Sequence, residues 1–187
     1  REFFSRRGAW EIVVLILLYK LDTSVATSLM TKFFLDLGFT KTDIGAVSKV
    51  FGLIAVVAGT LVGGALIPKL GLRRSLLSFG AFQAVSTMLF YMLSEIGRSY
   101  PGLVATIAGE NFSSGMGTAA YTAFLMSQCN HKFTATQYAL LTSLMAVPVR
   151  SLSAPTGYLQ AAGGWNQSFI IATFCGVPGP LMLLRYK

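Results

Sequence analysis

Acidic side chains are scarce in this sequence: seven Asp and Glu stand against fifteen Lys and Arg in 187 residues. Charge of either sign makes up 12% of the chain, about half the share of a soluble domain. That excludes a molecule bathed in water over its whole surface. Histidine occurs once, at His131, and cysteine twice, at Cys129 and Cys175. With no metal-ligand spacing among them, the expectation is a solvated loop imidazole and two small buried thiols, not a metal site or a disulfide framework. No nucleophile–base set and no glycine-rich phosphate loop stand out, so the chain does not read as an enzyme. The formal net charge of +8 comes with no nucleic-acid-binding module, and nucleic acid is not an expected partner. The chain starts at Arg1 with no signal peptide, which reads as an internal piece of something longer.

What the sequence has in quantity is apolar length. Hydrophobic residues are 53% of the chain and the mean hydropathy is +0.63. A single water-soluble core of this size could not hide that much apolar surface, whereas a bilayer can. Six segments reach the roughly 20 residues a spanning helix needs: Ala9 to Phe34, Asp43 to Ile67, Ser75 to Ser94, Gly102 to Cys129, Ala135 to Ala162 and Trp165 to Leu184. The breaks between them fall at Gly38, at Pro68 with Gly71, at Pro101 with Gly102, and at Gly163 with Gly164. The runs are too long and too continuous for barrel strands. The predicted fold is therefore an all-α membrane protein, one bundle of six spans over residues 1–187, with residues 1–8 as the end of a cytoplasmic linker.

Basic residues orient the bundle. Arg1, Arg6, Arg7, Lys69, Arg73, Arg74, Lys132, Arg185 and Lys187 fall on one side, against Lys32, Lys41 and Arg98 on the other. Both ends of the chain are then cytoplasmic. Gly52, Ala55, Gly59 and Gly63 follow one face of the second span as a small-residue seam for close helix contact. Pro148, Pro155, Pro178 and Pro180 predict bends in the fifth and sixth spans.

Ionisable groups deep in a span cost about 2.5–3.5 kcal/mol on insertion scales and mark a pathway by default; internal salt bridges that fix packing are the plainer explanation. Lys20, Asp22, Lys49, Glu110 and Arg150 stand in such positions. Lys20, Thr23, Ser24, Thr27 and Thr31 form one polar stripe on the first span. Glu110, Ser113, Ser114, Gly117 and Tyr121 form another on the fourth, with Asn111 alongside. Two such stripes predict a shared wet cavity. Glu110, with Asp22 as second choice, is the expected proton-coupling group, because a carboxyl in hydrocarbon ionises only when water or a cation reaches it. Lys20 and Arg150 are expected to hold anionic groups of a substrate, with Lys49, Asn111 and Tyr121 as further binding residues.

The stretch from Gly64 to Arg74 resembles the loop motif G-x-L-x-D-R-x-G-R-[RK] of the major facilitator superfamily. Gly64, Leu66, Lys69, Gly71 and Arg73 fit; Pro68 stands where the motif has its acid and Leu72 where it has a base. Gly64, Lys69, Gly71, Arg73 and Arg74 are thereby the expected gating loop. Tyr19-Lys20-Leu21, Glu110-Asn111, Gly115-Met116-Gly117-Thr118, the segment from Phe133 to Leu141 and Gly164-Trp165 together resemble the second half of the muropeptide permeases (AmpG) of Gram-negative bacteria. That resemblance implies helices seven to twelve of a twelve-helix transporter, with an inverted three-plus-three repeat. It also implies uptake of GlcNAc-1,6-anhydro-MurNAc and its peptides across the inner membrane for peptidoglycan recycling. The proton gradient would be the driving force, with no cofactor, and the flux would influence β-lactamase induction. The partners implied are the anionic glycopeptide, the lipid bilayer and a missing six-helix half. A carrier of another bulky anionic solute such as an acyl-CoA, and a non-transporting receptor or scaffold, are the competing readings.

Overall fold

The computed structural model describes residues 30–128 and, beyond them, 138–139, 142–143, 164–165 and 167–170. Lys20, Asp22, Arg150, His131, Cys129, Cys175 and the four prolines of the fifth and sixth spans lie outside these residues, as does most of the first, fifth and sixth spans. Every regular element among the described residues is helical. After helical residues 30–36 the chain turns through Gly38, at φ +88°, into α1, Lys41–Leu70. A one-residue link at Gly71 leads to α2, Leu72–Ile96, and a short turn at Gly97 to α3, Tyr100–Gln128. The connections are so short that α1, α2 and α3 run up, down and up.

α1 starts where Thr40 can close a capping box with Asp43. The Thr40 hydroxyl oxygen accepts from the Asp43 N–H, and the Asp43 carboxylate accepts from the Thr40 N–H, both at 3.1 Å. Such a cap stabilises a helix end by about 0.5–2 kcal/mol. Residues Ser48–Gly52 make one π-helical turn within α1, with the Leu53 N–H reaching back to the Ser48 carbonyl. Pro68 was expected to break the chain, but it sits inside the last turn of α1, which continues to Leu70. Proline removes the donor to the Gly64 carbonyl and crowds that turn, and the helix runs on for two residues before it ends. The reversal happens at Gly71, whose φ of +80° and ψ of 149° suit only a residue without Cβ.

α1 and α2 are each long and apolar enough to cross a membrane. α3 is 29 residues long, ample for a span, but polar groups interrupt its apolar run. It packs against both α1 and α2, which meet each other much less. The seam expected on α1 does make the α1–α3 contact: Gly59 lies against the Phe112 backbone, Gly63 against Met116 and Gly52 against Ile107 and Asn111. From the other side Gly115 meets Val56 and Thr60. The opposite face of α1 exposes Val50, Phe51, Leu53, Ile54, Val57, Leu61 and Val62, with Leu61 69% exposed. A contiguous apolar face of this kind is foreign to a water-facing surface and natural against acyl chains or further helices.

Two apolar clusters fill the three-helix core. At the Gly97 end, Phe33, Phe34, Phe39, Phe90 and Phe169 pack with Leu93, Leu103 and Ile107. Phe33 meets Phe169 edge-on at 4.8 Å, and Phe90 stacks on Phe169 at 5.1 Å. At the Gly71 end, Leu76, Phe79, Met116, Ala120, Tyr121, Phe124 and Leu125 make the second cluster.

Candidate functional site

Between those clusters, at mid-height, α2 and α3 face each other through polar side chains. From α2 come Gln83, Ser86 and Thr87; from α3 come Thr106, Glu110 and Ser113; all are buried. Glu110 is 6% exposed and sits about 15 Å along α3 from its start. Ser86 Oγ donates to Glu110 Oε2 at 3.0 Å and lies 2.6 Å from Ser113 Oγ. Ser86 also reaches the Gln83 carbonyl at 2.8 Å, and Ser113 reaches the Glu110 carbonyl at 3.0 Å. A carboxyl in this layer is shut off from lipid and bonded to a hydroxyl that can donate or accept. Such a site can keep a proton or release it without exposing charge to hydrocarbon.

Glu110 and Asn111 are adjacent but serve different interfaces. Glu110 faces α2. Asn111 is half-buried, donates from Nδ2 to the Ile107 carbonyl at 2.8 Å, and stands against Gly52 in the π turn of α1. Tyr121 is fully buried in the apolar cluster at the Gly71 end, about 16 Å along the helix from Glu110. Lys49 is exposed in the π turn and makes no ion pair among the described residues. Lys69, Arg73 and Arg74 are exposed around Gly71, and Gly64 faces open space. The expected site residues thus do not converge on one point within the described part of the chain; Glu110 alone lies in the buried polar layer.

Gln83, Ser86 and Thr87 on α2 and Thr106 on α3 are the members of that layer that the sequence did not bring forward. On α2 the signal was the spacing of Ser75, Phe79, Gln83, Ser86 and Phe90, which all lie on the buried face. An uncharged span hides such a row, because serine in a helix can satisfy itself on its own backbone.

No family model matches the chain. Along nearly its whole length, however, it is similar to curated proteins. The anhydromuropeptide permease of Escherichia coli K12 is 40% identical over 185 residues, covering 98% of this chain and 38% of the permease. A Haemophilus influenzae protein is 39% identical over 193 residues, covering 98% of this chain and 45% of that protein. A Rickettsia felis protein carrying the name "Putative transporter AmpG 4" is 31% identical over 186 residues, 100% of this chain and 45% of that protein. Two of these relatives carry AmpG or permease names, and all three cover nearly the whole of this chain. The chain corresponds to the C-terminal part of its relatives and spans less than half their length. The apolar helices α1 and α2 agree with a membrane protein.

Proposed function

We propose that the chain forms the C-terminal six-helix half of a proton-coupled importer of anhydro-muropeptides. Its fold would be one half of a major facilitator with an inverted three-plus-three repeat, set in the bacterial inner membrane with both ends cytoplasmic. The observation that carries this reading is the 40% identity to a permease of that name over 98% of the chain. The buried Glu110 carboxyl supports the choice of a proton as the driving ion. In this reading Glu110 takes and releases the coupling proton, and Asp22 is the second carboxyl placed to do so. Lys20 and Arg150 attract the carboxylates of the glycopeptide from the first and fifth spans. The segment Gly64, Lys69, Gly71, Arg73 and Arg74 forms the cytoplasmic gate, and flux through the carrier feeds peptidoglycan recycling and β-lactamase induction.

The test is uptake of labelled anhydro-muropeptide by cells carrying the full-length protein. Accumulation should collapse on adding a protonophore, and Lys20→Met or Arg150→Met should raise the half-saturating substrate concentration while the protein still inserts. Uptake indifferent to the protonophore would refute the coupling; absence of uptake with correctly inserted protein would refute the substrate.

Orientation has its own measurement. Single cysteines placed near Arg73 should react with a membrane-impermeant maleimide only from the cytoplasmic side, and cysteines near Arg98 only from the periplasmic side. The basic residues Lys69, Arg73 and Arg74 around Gly71 motivate this expectation, and the opposite labelling would reverse the topology.

A further inference from the structure

Ser86 Oγ has three oxygen neighbours and one hydrogen to share among them. The Gln83 carbonyl lies at 2.8 Å, Glu110 Oε2 at 3.0 Å and Ser113 Oγ at 2.6 Å. A hydroxyl donates once and accepts twice, so one of the three contacts receives the Ser86 hydrogen and each of the others is a hydrogen bond only if its partner donates. The Gln83 carbonyl can only accept. The arrangement is therefore decided by whether Glu110 carries a proton. With Glu110 ionised, Ser113 donates to Ser86 and Ser86 donates to the carboxylate. With Glu110 protonated, its O–H donates to Ser86 and Ser86 donates to the Gln83 carbonyl. The Ser113 hydroxyl goes on donating to Ser86 across 2.6 Å, so that Ser86 then accepts twice. Both arrangements use the same heavy-atom positions and differ in the Glu110 proton and in the rotation of the Ser86 hydroxyl.

We infer that Ser86, backed by Ser113, is a reversing hydroxyl relay that holds the Glu110 carboxyl in either protonation state while it is buried, making Ser86 a positioning residue for proton coupling. This rests on the reading of Glu110 as the coupling group. α2, an uncharged span by sequence, becomes part of the proton site. The other polar groups that α2 presents at this level are the neutral Gln83 and Thr87; its charges, Arg73, Arg74 and Glu95, lie in the first and last turns. On α3 Glu110 is the only acidic or basic residue. On α1 the residue facing Asn111 is Gly52, and Lys49 is exposed. Lys20, Asp22 and Arg150 lie outside the described residues and are kept in every variant.

The experiment is infrared titration of the full-length protein in lipid nanodiscs, following the carbonyl band of the protonated carboxyl that Glu110→Gln removes. A hydrogen bond to a carboxylate is about twice as strong as one to a neutral acid. In Ser86→Ala the band should therefore persist to a pH higher by roughly one unit, and Ser86→Thr should restore the wild-type midpoint. Protonophore-sensitive uptake should show the same displacement along pH, while substrate counterflow keeps its KM. A folded Ser86→Ala protein with the wild-type midpoint overturns the relay. Should Ser86→Ala not fold, Ser113→Ala removes the donor behind Ser86 and must move the band in the same sense; an unmoved band overturns the relay equally. Glu110→Gln that still concentrates substrate overturns the coupling reading, and the infrared midpoint then decides the part of Ser86 by itself.

Discussion

Glu110→Gln is expected to equilibrate substrate across the membrane and to concentrate none. The amide keeps the size of the carboxyl and can still bond to Ser86, so α2 and α3 remain packed. What it cannot do is bind and release a proton. The wild-type carboxyl lies between two apolar clusters and is 6% exposed, where burying a charge is costly. In the proposed coupling role, hydration of the carboxyl in one conformation ties proton release to one side of the transport cycle. Counterflow of labelled substrate should proceed at close to the wild-type rate in the variant, whereas accumulation should be lost and should no longer respond to a protonophore. Retained, protonophore-sensitive accumulation would reduce Glu110 to a packing residue and pass the coupling role to Asp22.

Gly59→Val should remove most of the folded protein. A Cβ at Gly59 would run into the Phe112 carbonyl oxygen, with the Phe112 carbonyl carbon at 2.9 Å and its Cα at 3.0 Å. These are backbone atoms at the crossing of two long helices, so no side-chain rotation relieves the clash and α1 must lift off α3. Overpacking of this type costs about 1–3 kcal/mol, occasionally more. At roughly 2–4 °C per kcal/mol for a chain of this size, the detergent-solubilised protein should lose up to about ten degrees in Tm. Gly64 directly follows the seam residue Gly63 but meets nothing within 4 Å. Gly64→Ala should hold or raise Tm, since alanine favours the helix by about 1 kcal/mol. Equal Tm for wild type and Gly59→Val would mean that the α1–α3 crossing is not as close as described.

The seam at Gly52, Gly59 and Gly63 was legible because small residues at helical spacing in an apolar span have few other uses. Glu110 was legible because a charge in such a span is expensive and therefore conspicuous. The start of α1 could be read from Thr40 and Asp43, three residues apart. Three features escaped for physical reasons. The π turn at Ser48–Gly52 is a backbone event with no residue signature, and it separates Lys49 from the face that a regular helical count across this stretch would assign it. The aromatic cluster of Phe33, Phe34, Phe90 and Phe169 joins segments far apart in the chain, and no local pattern reveals such a meeting. Ser86 was invisible because its significance depends on the carboxyl that another helix brings to it.

That dependence has a consequence for how the protein is made. α1 and α2, joined through Gly71 alone, would enter the bilayer of the proposed carrier as one hairpin. Within it Ser86 can wait in lipid at little cost, its hydroxyl turned onto the Gln83 carbonyl of its own helix. Glu110 finds its hydroxyl partner Ser86 on the neighbouring helix, so α3 is the member of the trio that gains most from arriving second. The chain supplies that order: during synthesis the hydroxyl acceptor is already in the membrane when the carboxyl leaves the ribosome.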